Sequence, residues 1–366
     1  MQIYVFDRNI NFQGIIDTYS SLRWRRRFNQ YSEFELHCPL TADNLSLLTR
    51  DSIICKSDST QEAGYIEYRE LQQDEKGEEF LIIKGRFLKS YFARRIIWAQ
   101  ELLNCTYEVA MRNLVNDQCI TPTLTDRIIP NLQLETLKSY AGVVNYQVTY
   151  NNLFDELINL CNLGGLGFRL LLDTINKKLN FDIFQGLDRT SGQSVNARCI
   201  FSTDFDNILS QNYVDSMNNL SNVALVGGTG DGSARKLVTI GASTGLDRAE
   251  LWVDAKDISN VNSTDSSVIA DATYLPMLTA RGNADLALTA DIKTFDSKIN
   301  VNSNLVYKTD FDLGDKVTCT NRKWGVTIDA VISEIEEVWE EKGFSVSVVF
   351  GNTIPTLLDL IRQKIT

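Results

Sequence analysis

One histidine, seven cysteines and 47 carboxylates are the residues of this 366-residue chain that could carry chemistry. His37 stands beside Cys38. In an extended strand neighbouring side chains point to opposite faces, so the two cannot form a thiolate–imidazole pair. A Ser-His-Asp set built on His37 would need a nucleophile-elbow sequence, and none accompanies it. The simpler reading is a solvent-side histidine beside Glu35. The cysteines (Cys38, Cys55, Cys105, Cys119, Cys161, Cys199, Cys319) are odd in number and scattered without Cys-x-x-Cys. That suits reduced, buried thiols and gives no zinc framework. The carboxylates leave room for a glycosidase pair, but nothing marks one pair out. Asp310-Phe-Asp312-Leu-Gly314-Asp315 echoes a calcium loop. Its glycine falls at the fifth position where an EF-hand needs the sixth, so a strand-entry turn is the better reading. Gly227, Gly228, Gly230 and Gly232 invite a phosphate-loop reading. No Gly-Lys-Ser/Thr follows, however, and the order is strand, turn, strand. No catalytic, cofactor-binding or metal-ligating residue is assigned.

The densest charge is the alternating run Leu22-Arg-Trp-Arg-Arg-Arg-Phe28. As a strand it puts Leu22, Trp24, Arg26 and Phe28 on one face and Arg23, Arg25 and Arg27 on the other. The net charge of −11 argues against a duplex-binding surface, and salt bridging is the expected role of these arginines. Their partners would lie on this subunit or the next, which makes Arg23, Arg25 and Arg27 candidate interface residues. No apolar run approaches the roughly 18 residues of a membrane span. The N-terminus, Met-Gln-Ile-Tyr-Val-Phe-Asp, already has a strand pattern and not that of a signal peptide, so folding in the cytoplasm is expected.

The elements that must position these residues are mostly short strands. Residues 1–97 read as a first β domain, with a helical run capped by Thr41 and a hairpin across Gln72 to Gly77. Residues 98–197 change period and read as a small α+β domain. Thr106 caps one helix, Asn151 or Asn152 caps another that stops at Gly164-Gly165, and Gly167–Leu172 pairs with Lys178–Phe184. Val331, Ile332, Ile335, Val338 and Trp339 follow helical spacing, but their place in a repeat favours a strand.

That repeat aligns Phe28–Leu36 with Met217–Leu225, Asp51–Cys55 with Asp315–Cys319, Glu75-Lys-Gly77 with Glu341-Lys-Gly343, and Gly85 with Gly351. Four anchors in one order predict a duplicated β domain, the second copy spanning 198–226 and 306–352. An insertion, 227–305, separates its halves and carries a helix near Asp271 to Leu288. Residues 353–366 read as a C-terminal tail with a short amphipathic segment from Ile354 to Ile365.

Within this region a glycine-rich hairpin is followed by Gly245-Leu246-Asp247-Arg248-Ala249-Glu250-Leu251 and Val253-Asp254-Ala255. This pattern, with the order of segments around it, resembles the hub family of phage tails: the tail-associated proteins of siphophages, similar in fold to the baseplate hub of contractile tails. The resemblance implies a mainly β protein of two barrel-like, tail-tube-type domains, an α+β domain and an inserted domain. It implies a structural, non-enzymatic hub: a homotrimer whose six β domains ring an axial channel and join the tube to the tip. Its partners would be the distal tail ring or tube protein, the tape-measure protein and tip or fibre proteins. No cofactor, nucleic-acid sequence recognition or membrane span is implied. The protein would assemble in the host cytoplasm and end in the virion's tail tip. Longer relatives carry a C-terminal peptidase, hydrolase or fibre-binding region, and the short segment after Gly351 gives no support for one here. The alternatives are a cell-wall glycosidase and a carbohydrate-binding component. The latter expects exposed aromatic platforms, whereas Trp24, Trp252, Trp324 and Trp339 read as parts of amphipathic strands.

Overall fold

The computed structural model describes residues 1–351, so the amphipathic segment expected from Ile354 to Ile365 lies outside the described residues. The first β unit comprises β1 (Ile3–Phe6), β2 (Phe12–Ile16), β3 (Ser21–Arg27), β4 (Glu33–Pro39), β5 (Ile53–Lys56), β6 (Ser59–Gln73) and β7 (Glu79–Phe87). Alternation along β3 and β4 decides which face is core: Leu22, Trp24, Phe34, Leu36 and Cys38 are buried. Trp24 packs on Phe34 and Phe87 at ring separations of 5.6 and 4.6 Å. Gly85 makes that packing fit, since a Cβ there would lie 2.0 Å from the Tyr65 carbonyl oxygen and 2.7 Å from the Phe34 ring. Thr41 caps α1 (Ala42–Leu47), its hydroxyl accepting from the Asn44 N–H. The strands lie in the order β1-β5-β6-β7-β4-β3, with β2 on the far side of β1.

The α+β unit contains β8 (Glu101–Thr106), α2 (Tyr107–Val115), β9 (Leu132–Leu134), β10 (Val143–Val148), α3 (Leu153–Gly164), β11 (Gly167–Asp173) and β12 (Lys178–Phe184). Thr106 caps α2 and Asn152 caps α3, and α3 ends at Gly165 in the left-handed conformation (φ 63°). Phe92, Phe154, Phe168 and Phe181 form its aromatic centre, with ring separations of 5.3 to 6.4 Å.

The second β unit opens with β13 (Ile200–Ser202) and β14 (Ile208–Ser216). The insertion follows, with β15 (Val223–Gly227), β16 (Leu237–Ile240), β17 (Glu250–Asp254) and α4 (Asp271–Leu288). Its three strands form a separate sheet, β16-β15-β17. Gly282 lets α4 settle on that sheet, as a Cβ there would reach 2.5 Å from Val226 and Ile240. The loop before α4 also bonds to the α+β unit, where Gln147 accepts from the Ser259 N–H at 2.6 Å and donates to its carbonyl at 2.9 Å. The chain then returns with β18 (Ile292–Ile299), β19 (Lys316–Asn321), β20 (Val326–Glu340) and β21 (Gly343–Gly351). The run Val331–Trp339 is part of β20, a strand as the repeat required.

The second unit runs β13-β19-β20-β21-β18-β14, the same order as the first. Even the irregularities recur. β6 is bulged between Ile66 and Tyr68 where it pairs with β7, and β20 between Ile332 and Glu334 where it pairs with β21. The Ile66 N–H donates to Ser52 and the Ile332 N–H to Asp315. The units differ at their ends: β1 pairs antiparallel with β5, and β13 pairs parallel with β19.

Three details of the expected repeat are corrected. Ser52, not Asp51, corresponds to Asp315 by those hydrogen bonds, and Cys55 corresponds to Thr318. Gly85 faces Ile66 as Phe350 faces Ile332, so its counterpart is Phe350, one residue before Gly351. Val223–Leu225 is not the counterpart of β4, because it lies in the insertion's sheet. The true counterpart is β18, inside the 227–305 span expected to be insertion. The insertion sits in the turn between two paired strands, and alternation alone cannot tell which following strand hydrogen-bonds to β14.

Candidate functional site

The two β units meet edge to edge. β3 of the first pairs antiparallel with β20 of the second, with Arg27 opposite Glu334, Arg25 opposite Glu336 and Arg23 opposite Val338. On the outer face Arg25 reaches Glu33 at 2.7 Å, Glu336 at 3.1 Å and Glu334 at 3.2 Å. Arg27 reaches Glu334 at 2.5 Å and Glu33 at 3.3 Å, and Arg23 reaches Glu336 at 2.7 Å. The partners that the arginine alternation called for therefore stand on β4 and β20 of the same chain. The need for carboxylates of a neighbouring subunit, which made Arg23, Arg25 and Arg27 interface candidates, disappears. The ladder knits the chain's own two halves together.

Beneath the ladder lies a buried polar network that the sequence reading did not assign. Arg26, 4% exposed, donates to Asp312 at 2.6 Å and to the Tyr307 hydroxyl at 2.8 Å, and pairs with Glu62 at 2.5 Å. Tyr307 donates to Glu337 at 2.7 Å, and Glu337 pairs with the fully buried Lys56. Lys56 lies 4.7 Å from the centre of the Trp339 ring. Burial alone would raise the Asp312 carboxyl, but the Arg26 guanidinium outweighs it and holds the group below the usual range. Burial pushes Lys56 down despite Glu337. The signal for this network was present in the sequence: alternation placed Arg26 on the face of Leu22 and Trp24, and a charge on a core face needs a buried partner.

The outer face of the first unit carries an open groove of about 290 Å³, lined by Arg23, Arg25, Glu33, Glu67, Lys84 and Arg86 among others. His37 lies in this neighbourhood, 2.7 Å from Glu35, which also pairs with Lys84 at 3.1 Å. Among the described residues, no group of three or more His, Cys, Asp or Glu side chains is placed to hold a metal ion, and no helix is long and apolar enough to cross a membrane.

The Gly245–Asp254 motif is elsewhere, on the insertion's own sheet. Gly245, Leu246 and Asp247 form a short 3-10 turn, Gly245 has φ 61°, and Leu246 is fully exposed. Arg248 pairs with Glu250 at 2.5 Å, while Val253 points into the insertion's core beside half-buried Leu251. Asp254 pairs with Arg235, whose guanidinium lies 4.9 Å from the Trp252 ring. These contacts give the motif a structural role in its sheet and do not join it to β3. Of the tryptophans, Trp24 is buried, Trp252 is half exposed on β17, and Trp324 is half exposed in the turn between β19 and β20, not in a strand.

Residues 2–352 match the family described as Siphovirus ReqiPepy6 Gp37-like protein. No curated protein matches the sequence. Among solved structures, the chain is similar to a tail protein from Neisseria meningitidis MC58 (TM-score 0.57, 12% identity, covering 96% of each chain). It is similar to prophage tail protein gp18 from Listeria monocytogenes EGD-e (TM-score 0.57, 12% identity, covering 100% of this chain and 98% of that one). It is also similar to the 43 kDa tail protein of prophage MuSo2 from Shewanella oneidensis (TM-score 0.57, 10% identity, covering 96% and 98%). The fold is that of phage tail proteins.

Proposed function

The chain belongs to the Siphovirus ReqiPepy6 Gp37-like family, and on that premise we propose that it is a structural hub at the tip of a phage tail. Three copies place six β units in a ring around an axial channel, joining the tail tube or distal ring to the tip and gating passage of the tape-measure protein and genome. The observation that carries this reading is the duplication itself: two β units of one strand order, fused edge to edge through β3 and β20. Two such units per chain and three chains per ring match a sixfold tube without breaking its contacts. The protein assembles in the host cytoplasm and ends in the virion. Its role is mechanical, not catalytic.

Immunogold labelling of purified tails should place the protein at the tip, and light scattering should give a trimer at high concentration or with its ring partner. Label along the tube, or a dimer or tetramer under both conditions, would contradict the hub. Incubation with purified peptidoglycan should release no soluble fragments; release would point to the glycosidase reading instead.

A further inference from the structure

The α+β unit presents a basic and apolar patch on the stretch before β8 and the loop after α2. Ile96, Trp98, Leu124 and Ile128 expose 45%, 50%, 48% and 39% of their surface. All four border Arg127. Its guanidinium lies 4.6 Å from the centre of the Trp98 ring and donates to the Ile96 carbonyl at 2.5 Å and to Gln118 at 3.0 Å. Its backbone N–H donates to Leu124, and Ile128 follows it in the chain. Arg95 donates in turn to the carbonyls of Arg127 at 2.9 Å and Arg94 at 3.1 Å. Both guanidiniums are therefore fixed by neutral acceptors, and among the described residues neither makes an ion pair with a carboxylate. Asp126, the acid next to Arg127 in the chain, is exposed. Burial and then the Arg95 charge lower Arg127 from its usual value, and the group opposing them is the Cys119 thiol, not a carboxylate. Beside this pair, Arg94 and Arg8 share one acid, Asp51, at 3.6 and 3.8 Å. Four neighbouring arginines against one paired carboxylate leave three positive charges in excess, on a chain whose net charge is −11.

We propose that this patch docks another tail protein through an acidic segment of that protein, whose carboxylates meet Arg95 and Arg127 and whose apolar side chain packs on Trp98 and Ile128. Like charges held together without counter-charges cost free energy in the free protein, and an arriving carboxylate removes that cost. Tryptophan and arginine side by side are the residues that anchor protein interfaces. The backbone carbonyls already hold both guanidiniums in place, so little side-chain freedom is lost on docking. The excess charge alone would suit phosphates as well as carboxylates. The four exposed apolar side chains favour a polypeptide, since a phosphate backbone offers them nothing to bury. That the partner is a tail protein, and not a second copy of this chain, rests on the hub reading above. There the copies meet through their β units, which leaves the α+β unit free for another component.

The test is hydroxyl-radical footprinting of Trp98, read by mass spectrometry in the dilute protein, in the self-assembled protein at high concentration and in purified tails. Oxidation should be equal in the first two samples and fall about fivefold or more in tails, as an interface anchor is shut off from water. Protection already present in the self-assembled protein would give the patch to a second copy and overturn the proposal. Undiminished oxidation in tails that contain the protein would overturn it and leave the hub standing. Absence of the protein from tails would overturn both. The charge is tested separately. Arg95→Glu with Arg127→Glu should leave the thermal midpoint and self-assembly near those of the wild type but reduce recovery in purified tails about tenfold. Arg95→Lys with Arg127→Lys keeps the charge and should keep most of the recovery. If the charge-reversed variant does not fold, Arg95→Gln with Arg127→Gln replaces it with the same expectation. Full recovery without the positive charges, or an equal loss from the lysine substitutions, would show that charge does not hold the contact. Binding of a single-stranded DNA oligonucleotide by the wild type and not by the charge-reversed variant would assign the patch to phosphates and overturn the proposal.

Discussion

Arg26 of the first β unit, itself buried, closes at 2.6 Å on Asp312 of the second, whose carboxylate is partly open to solvent at the edge of the strand junction. The two residues are far apart in sequence, and the buried guanidinium is compensated by Glu62 first, at 2.5 Å, and by Asp312 and Tyr307 beside it. A guanidinium in a protein interior keeps its charge, so its partners must be there when the halves meet.

Arg26→Met should therefore cost about 2–4 kcal/mol, because Glu62 is left as a largely buried charge without its cation, while the partly exposed Asp312 falls back on water. Replacing Arg26, Glu62 and Asp312 together with Met, Leu and Leu should recover most of that loss. Urea unfolding of the single and triple variants checks both expectations. A triple variant no more stable than the single one would show that the network contributes more than it costs.

Changing Arg23, Arg25 and Arg27 together to glutamine should lower the thermal midpoint and leave the oligomer fraction unchanged across a salt series. The pairs are partly exposed and within one chain, so a loss of roughly 1–3 kcal/mol is expected for the network. A lower oligomer fraction at an unchanged midpoint would return these arginines to a subunit interface.

Lys89 is 3% exposed, and burial pushes its ammonium down to about 7. In the unfolded chain a lysine titrates near 10.4, so between the two values the unfolded state holds the extra proton. Stability from this group accordingly rises with pH from about 7 towards 10, and below 7 its full cost is present. Lys89→Met has no such titration. Its stability advantage over the wild type should be largest at pH 6 and shrink steadily by pH 9, as read by chemical unfolding at each pH. A constant difference would show that Lys89 does not titrate in this range. The amine donates to the Arg27 carbonyl at 2.7 Å in either protonation state.

All seven cysteines are free thiols, and six are buried. Burial pushes Cys38 up to about 11 and Cys55, Cys119 and Cys199 up to about 12. A thiol reagent at pH 8 should count seven in denaturant but react slowly with the native protein, since the thiolate is the reactive form. A count of five or fewer in denaturant would contradict the reduced state.

Much of the β architecture was legible before any coordinates. Alternation in Leu22–Phe28 and Glu33–Cys38 named the buried faces, because successive strand residues point to opposite sides. Thr106, Asn152 and Gly165 marked helix ends, because capping needs are local to a few residues. The order of segments was enough to suggest the duplication and the tail-protein resemblance. Three features waited for the tertiary structure. Sequence spacing carries no hydrogen-bond partner, so β18 rather than Val223–Leu225 could be recognised as the second unit's return strand only from its pairing with β14 and β21. Bulges and turns of unequal length shift register by one residue, which displaced the Asp315 and Gly351 anchors. The carboxylates facing Arg25 and Arg26 come from Glu33, Glu62, Asp312, Glu334 and Glu336, and only the folded sheet brings segments that distant within ion-pair reach. Local patterning was read from side-chain periodicity; which strand meets which was decided by long-range hydrogen bonds and burial of charge.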